Sequence, residues 1–210
     1  MKRIIFCVML LAGVTAIGFA EHETWFSVGG AFGSYNMDGN EIEKSHLASA
    51  GVNLSFYSIF RQRNIGLFFN WGVLFPIVNN IRDDYKPDNQ LDFVLVGVAS
   101  SFTINDYLKL YFGIGPSVGL LLFSSDDNEI KAGSFILGLG VGGDVGIKFN
   151  LTDYMCITTG TTVAYQFAAY NDLMVTVNDP SHARRDIHSW VTNYSSIGFK
   201  PYLGFGFHFY

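Results

Sequence analysis

Residues 135–149 read Phe-Ile-Leu-Gly-Leu-Gly-Val-Gly-Gly-Asp-Val-Gly-Ile-Lys-Phe. Phe135, Leu137, Leu139, Val141, Val145, Ile147 and Phe149 fall on one parity, and Gly138, Gly140, Gly142, Asp144, Gly146 and Lys148 on the other. Alternation with period two belongs to a strand with two unlike faces; wound as a helix, the same residues would scatter around the whole circumference.

Working outward, the pattern recurs. In 108–120, Leu108, Leu110, Phe112, Ile114, Pro116, Val118 and Leu120 alternate with Lys109, Tyr111, Gly113, Gly115, Ser117 and Gly119. Residues 65–75 and 197–210 behave alike, and the last of these opposes Ile197, Phe199, Leu203, Phe205, Phe207 and Phe209 to Gly198, Lys200, Tyr202, Gly204, Gly206 and His208. Eight strands are expected, over 24–36, 47–60, 65–75, 91–103, 108–123, 133–149, 154–169 and 195–210. Connections 61–64, 104–107 and 150–153 are tight, whereas 37–46, 76–90, 124–132 and 170–194 are long and polar. Two tight turns repeat one motif, Asn105-Asp-Tyr107 and Thr152-Asp-Tyr154; Asp, Asn and Thr there can bond their own backbone and close a turn.

The identity of the second face decides the architecture. A soluble sandwich would put Lys, Glu and Thr on its outer face. Here that face is mostly Gly, Ser, Asn and Tyr, and the whole chain is only 15% charged but 49% hydrophobic and 16% aromatic. Transmembrane strands need about 9–11 tilted residues, apolar outside and small or polar inside, with short turns at one end and long loops at the other. The expected fold is therefore all-β, an eight-stranded antiparallel up-and-down transmembrane barrel, closed because a sheet edge in lipid would strand its backbone groups. Two aromatic girdles are expected: Trp25, Tyr57, Phe60, Phe102, Tyr107, Phe149, Tyr154 and Phe209 at the short-turn end, and Tyr35, Phe75, Phe123, Phe135, Phe167, Tyr170, Trp190 and Tyr194 at the other. Pro116 and Pro201 fall inside strands, where a local bulge is the expected remedy for a missing donor.

At the N-terminus, Lys2 and Arg3 precede an apolar run from Ile4 to Phe19, and Gly18-Phe-Ala20 offers a cleavage site. Residues 1–20 read as a cleaved signal peptide and 21–210 as the barrel domain. Cleavage removes two cations and no acid, taking the net charge from −5 to −7. That argues against nucleic acid as a partner. The mature chain keeps Cys156 alone, so an intramolecular disulfide and a cysteine-based zinc site are excluded.

The leader, the stretch Tyr111-Phe-Gly-Ile-Gly-Pro-Ser-Val-Gly119, the Asp-Tyr turns and the end Pro201-Tyr-Leu-Gly-Phe-Gly-Phe-His-Phe-Tyr210 resemble the small eight-stranded outer-membrane barrels, the group of the OmpA membrane domain, OmpX and OmpW. The resemblance implies residence in the cell outer membrane, among its lipid. It also implies insertion by machinery that reads a C-terminal aromatic: Phe209 is in phase with the outward set and Tyr210 lies one residue beyond. From OmpW it implies passage or binding of small hydrophobic solutes.

Candidate chemistry is sparse. Lys109, Asp144, Lys148 and Lys200 are expected to face the lumen, with Asp92 a further candidate, and the hairpin register sets Lys109 near Lys148 toward the short-turn end. They form either a selectivity filter or a structural ion-pair plug. Lumen glycines, Gly115 and Gly140 among them, either leave a narrow apolar passage bounded by Phe68, Leu74 and Leu121 or permit sharp curvature while bulky residues fill the space. In the long loops, Asp126, Asp127 and Glu129, the group Arg82, Asp83, Asp84, Lys86 and Asp88, and His182, Arg184, Arg185 and His188 read as solvated charge, not as metal ligands. No nucleophile, phosphate-loop or zinc-protease motif occurs, and Ser181, His182 and Asp186 lack a scaffold. The expectation is no enzyme, no cofactor and no metal. A narrow channel or binding site for small solutes leads, with a surface-interaction protein acting through its loops and a soluble lipocalin-like binder as alternatives.

Overall fold

In the computed structural model the described residues are 22–39, 42–79, 90–126, 130–177 and 185–209. They form nine strands: β1 (His22–Gly39), β2 (Ile42–Phe60), β3 (Ile65–Asn79), β4 (Gln90–Asn105), β5 (Leu108–Asp126), β6 (Ile130–Asn150), β7 (Met155–Val177), β8 (Arg185–Val191) and β9 (Ser195–Phe209). Each of β1 to β7 pairs antiparallel with the next, and β9 closes the ring by pairing with both β1 and β7. The result is a closed eight-stranded barrel. The short β8 lies outside the ring count: it continues the descending strand above β9 and pairs with β7 from Ala169↔Val191 to Val175↔Arg185.

The short turns fall where expected. Asn64 adopts a left-handed φ of 53° in the β2–β3 turn, and Asn105 Oδ1 and Thr152 Oγ1 accept from the backbone N–H groups of Tyr107 and Tyr154 at 2.9 and 3.2 Å. The long connections differ from expectation. Much of 37–46, 124–132 and 170–194 is strand, because β1, β2, β5, β6 and β7 run on past the point where their apolar alternation ends. Strands of 18–23 residues exceed the 9–11 that a bilayer requires, and the excess stands beyond the long-loop end.

The faces alternate as read. Phe32, Leu67, Ile114 and Leu203 are 60–67% exposed on the outside, whereas Phe68, Leu74, Tyr111 and Tyr202 are buried inside. Such a continuous exposed apolar belt on every strand suits lipid, not water. The girdles need one correction: Trp25, Tyr57, Tyr35 and Tyr194 are buried; the first three share the inward parity of their strands, and Tyr194, between β8 and β9, donates its hydroxyl to Gln166 Oε1 inside the barrel. Phe60, Phe102, Tyr107, Phe149, Tyr154 and Phe209 do ring the short-turn end as exposed side chains. Phe167 and Trp190 are exposed toward the other end, and the side chain of Phe123 lies outside the described residues.

Pro116 and Pro201 are accommodated without bulges, whereas Pro76, within β3, sits at a register shift opposite Ala48 and Ser49. The β4–β5 ladder passes from Leu95↔Ser117 to Val98↔Ile114 with its register unchanged, skipping the pairs that Gly115 and Pro116 would make. Likewise β1–β9 passes from Ala31↔Tyr202 to Ser34↔Phe199, skipping Lys200 and Pro201. At the first gap Gly97 and Gly115 let the two backbones close in: a Cβ on either would collide with the other strand's main chain. A genuine bulge occurs elsewhere, between Leu139 and Gly140 opposite Gln166 and Ala168.

Candidate functional site

The lumen is the site at which the sequence concentrates its polar chemistry. At the short-turn end the β5–β6 register sets Lys109 directly opposite Lys148, both on the inward face. Two like charges in this position repel. Glu23 of β1 reaches across to both: its Oε1 lies 2.5 Å from Lys148 Nζ, and its Oε2 pairs with Lys109. Lys148 is fully buried, and its ammonium lies 4.5 Å from the centroid of Trp25, within cation–π range. Trp25 stacks on Tyr57 with centroids 4.8 Å apart and planes 7° apart. Phe68 continues the stack beyond Tyr57 at 5.5 Å.

Asp144 of β6 occupies the middle. Its Oδ2 accepts from the hydroxyls of Tyr57 and, at 2.7 Å, Tyr202. Its Oδ1 accepts from Thr162 Oγ1 at 2.6 Å and from Asn70 Nδ2 at 3.4 Å. Because Tyr202 has spent its proton on Asp144, the 3.0 Å contact between the Tyr111 and Tyr202 hydroxyls is a donation by Tyr111. Lys200 of β9 donates to Asn53 Oδ1 at 2.7 Å and Asn70 Oδ1 at 2.6 Å, so Asn70 links the buried cation to the buried carboxylate. Its Nζ also lies 5.2 Å from the Phe93 ring centroid. Every strand of the ring therefore contributes to one connected group of aromatic and charged side chains. Buried charges are tolerated only in such paired, hydrogen-bonded settings.

The glycines of the inner wall do not leave a passage. Phe68 lies over Gly113, Gln166 over Gly119 and Gly138, Tyr111 over Gly146, and Lys200 over Gly72. Gly115 and Gly140 face inward but abut the backbones of β4 and β7, where an added Cβ would strike main chain. Nearer the long-loop end remains a cavity of about 20 Å³, lined by Tyr35, Leu47, Leu91, Leu121, Gln166 and Tyr194 among others. That is room for a single water. The Tyr35 hydroxyl, buried beside it, has no hydrogen-bond partner among the described residues.

Lys109, Asp144, Lys148 and Lys200 thus all face inward. Lys109 and Lys148 meet through Glu23, and Asp144 and Lys200 meet through Asn70. Asp92 pairs with Leu120 and Val73, which places it in the outward phase; its side chain lies outside the described residues. So do residues 82–88, 127–129 and 181–184, and the side chains of Asp126, Arg185, Asp186 and His188. The sequence reading missed Glu23, Asn53, Asn70, Tyr57, Thr162 and Tyr202 as members of the group. Glu23 escaped because the first strand was expected to begin one residue later. Asn53 and Asn70 were signalled only by polar side chains on the inward parity of otherwise apolar runs.

No family model matches the sequence, and no curated protein is similar to it. Solved structures do match. A major outer membrane protein from Thermus thermophilus aligns over 89% of this chain and 99% of its own, with 15% identity and a TM-score of 0.54. Neisserial surface protein A aligns over 87% of this chain and 96% of its own, with 14% identity and a TM-score of 0.51. Ail, the attachment invasion locus protein of Yersinia pestis, aligns over 90% and 99%, with 18% identity and a TM-score of 0.47. The closed ring, its outward apolar belt and the first two of these likenesses agree: the chain has the fold of the small outer-membrane β-barrels.

Proposed function

We propose that this protein resides in the outer membrane as a barrel with a sealed lumen and acts at its outward, long-loop end as a surface-interaction protein. The observation that carries this is the group centred on Asp144, to which all eight ring strands contribute and which fills the cross-section where a solute would pass. A barrel of eight strands has an interior just wide enough for side chains, and here they occupy it. The strands that run past the apolar belt, with β8 added beside β7, support a sheet held clear of the lipid. On this reading the signal peptide exports the chain, the insertion machinery acts on β9, whose Phe209 faces outward, and the protein has neither catalytic role nor cofactor.

The test compares cells displaying the wild-type protein with cells displaying a variant in which residues 173–188 are replaced by Asn-Gly. Binding to immobilised serum and matrix proteins and uptake of small apolar solutes are both measured. Binding is expected to fall in the variant, with uptake equal to that of cells lacking the protein. Uptake raised by the wild type and retained by the variant would overturn the reading in favour of a solute channel.

A further inference from the structure

Toward the long-loop end, the lumen keeps one small space beside an unsatisfied hydroxyl. The cavity of about 20 Å³ is lined by apolar side chains such as Leu121 and Ile136 on one side and by Tyr35, Gln166, Tyr194 and Ser196 on the other. These four polar residues are only 4–6% exposed. Their burial makes every hydrogen bond there count, because a polar group cut off from water and left without a partner is costly.

Tyr35 is such a group. Its ring lies over two glycines: a Cβ on Gly33 would stand 2.6 Å from the ring, and one on Gly198 2.5 Å. The ring therefore fills the space that those glycines leave, and its hydroxyl is held inside the lumen, with no partner among the described residues. Within the same wall, Tyr194 donates to Gln166 Oε1 at 3.3 Å. A carbonyl oxygen has two lone pairs, so this bond leaves one available. A buried water needs a space of about 10–15 Å³ and two to four polar partners. The cavity meets both conditions, and it is too small for an organic solute.

We infer that this cavity binds one ordered water, which takes the hydrogen bond of the Tyr35 hydroxyl and joins it to the Gln166–Tyr194 pair. The bridge has a structural consequence at the outward end. Tyr35 belongs to β1 and Gln166 to β7, whereas Tyr194 lies in the corner between β8 and β9, next to Asn193 with its left-handed φ of 55°. The top of β1 already packs against that corner: a Cβ on Gly39 would stand 3.0 Å from Val191 Cγ1 and 3.7 Å from Tyr194 Cα. The water thus ties the corner from which β8 rises to β1, and Tyr35 is a positioning residue for the outward sheet. This holds whatever that sheet binds.

Oxygen-17 relaxation dispersion of the refolded barrel in micelles counts its long-lived waters and tests the site directly. The wild type is expected to hold one more than Leu121→Phe, whose larger ring fills the cavity. Tyr35→Phe should lower the urea midpoint and speed amide exchange over residues 191–195 by about fivefold, the worth of one net hydrogen bond. A dry cavity gives the opposite sign: removing a stranded hydroxyl would then raise the midpoint. Equal water counts in the wild type and Leu121→Phe, a midpoint that Tyr35→Phe fails to lower, or unchanged exchange at the corner would each overturn the inference. Should Leu121→Phe lose the heat-modified gel mobility of a closed barrel, the direction of the Tyr35→Phe midpoint shift decides.

Discussion

Lys109 and Lys148 face each other across the β5–β6 ladder with the single carboxylate of Glu23 held between them. The pair of like charges is tolerable only because a third strand supplies the counter-ion. Closing the barrel and neutralising the lysines are thus one event, since Glu23 belongs to β1 and the lysines to β5 and β6.

Glu23→Gln should destabilise the barrel by about 3–5 kcal/mol, the usual result of removing one partner from a buried ion pair. Urea unfolding in micelles, followed by circular dichroism, measures this. Adding Lys148→Met to Glu23→Gln should restore a large part of the loss, because the uncompensated buried cation is then gone. A double variant no more stable than Glu23→Gln would show that repulsion is not the cause.

Asp144→Leu should cost more than Asp144→Asn. The leucine removes the acceptor used by the buried hydroxyls of Tyr57 and Thr162, at about 1–3 kcal/mol for each stranded group, whereas Tyr202 keeps the Tyr111 hydroxyl within reach. The asparagine keeps one acceptor oxygen. The same unfolding assay ranks the two.

How legible this was from sequence depends on the range of the interaction. Alternation in 135–149 identified strand and face because each side chain reports its own environment, and the inward phase of Lys109, Asp144, Lys148 and Lys200 followed from it. The hairpin register also sets Lys109 near Lys148, as observed, but the groups that meet them from distant strands did not follow. Glu23 lies 86 residues from Lys109 and 125 from Lys148, a pairing fixed by closure of the ring, on which local pattern is silent. The strand ends differ for a related reason: β7 continues to Val177 through Leu173-Met-Val-Thr-Val177, whose apolar residues fall on both parities, so no alternation marks the strand there. Trp25 and Tyr57 lie near strand ends, where girdle rings are expected, but their inward parity buries them in the barrel.

Gly140→Ala should destabilise the barrel although it adds one methyl group, since that Cβ meets the main chain of β7 at Tyr165. Overpacking of this kind costs about 1–3 kcal/mol. Gly30→Ala is the control: its Cβ would point outward, with the nearest atom 4.0 Å away. Lowered boiling temperature for the mobility shift of the first, and an unchanged one for the second, is the expected result.

Val145→Arg, on the exposed belt of β6, should impair insertion into vesicles by about 2–4 kcal/mol, the cost of arginine near the bilayer midplane. Tyr107→Arg, at the short-turn girdle, should cost about 0–1 kcal/mol because charge is cheap at the interface. Equal effects in a vesicle-folding assay would show that the belt is not where the alternation places it.

Planar-bilayer recording of the refolded barrel decides whether the group around Asp144 seals the lumen. The wild-type barrel is expected to leave the membrane no more conductive than one without protein, with measurable leak only once the seal is cut, as in Asp144→Ala combined with Tyr57→Ala. Stable unitary conductance from the wild-type protein would contradict it.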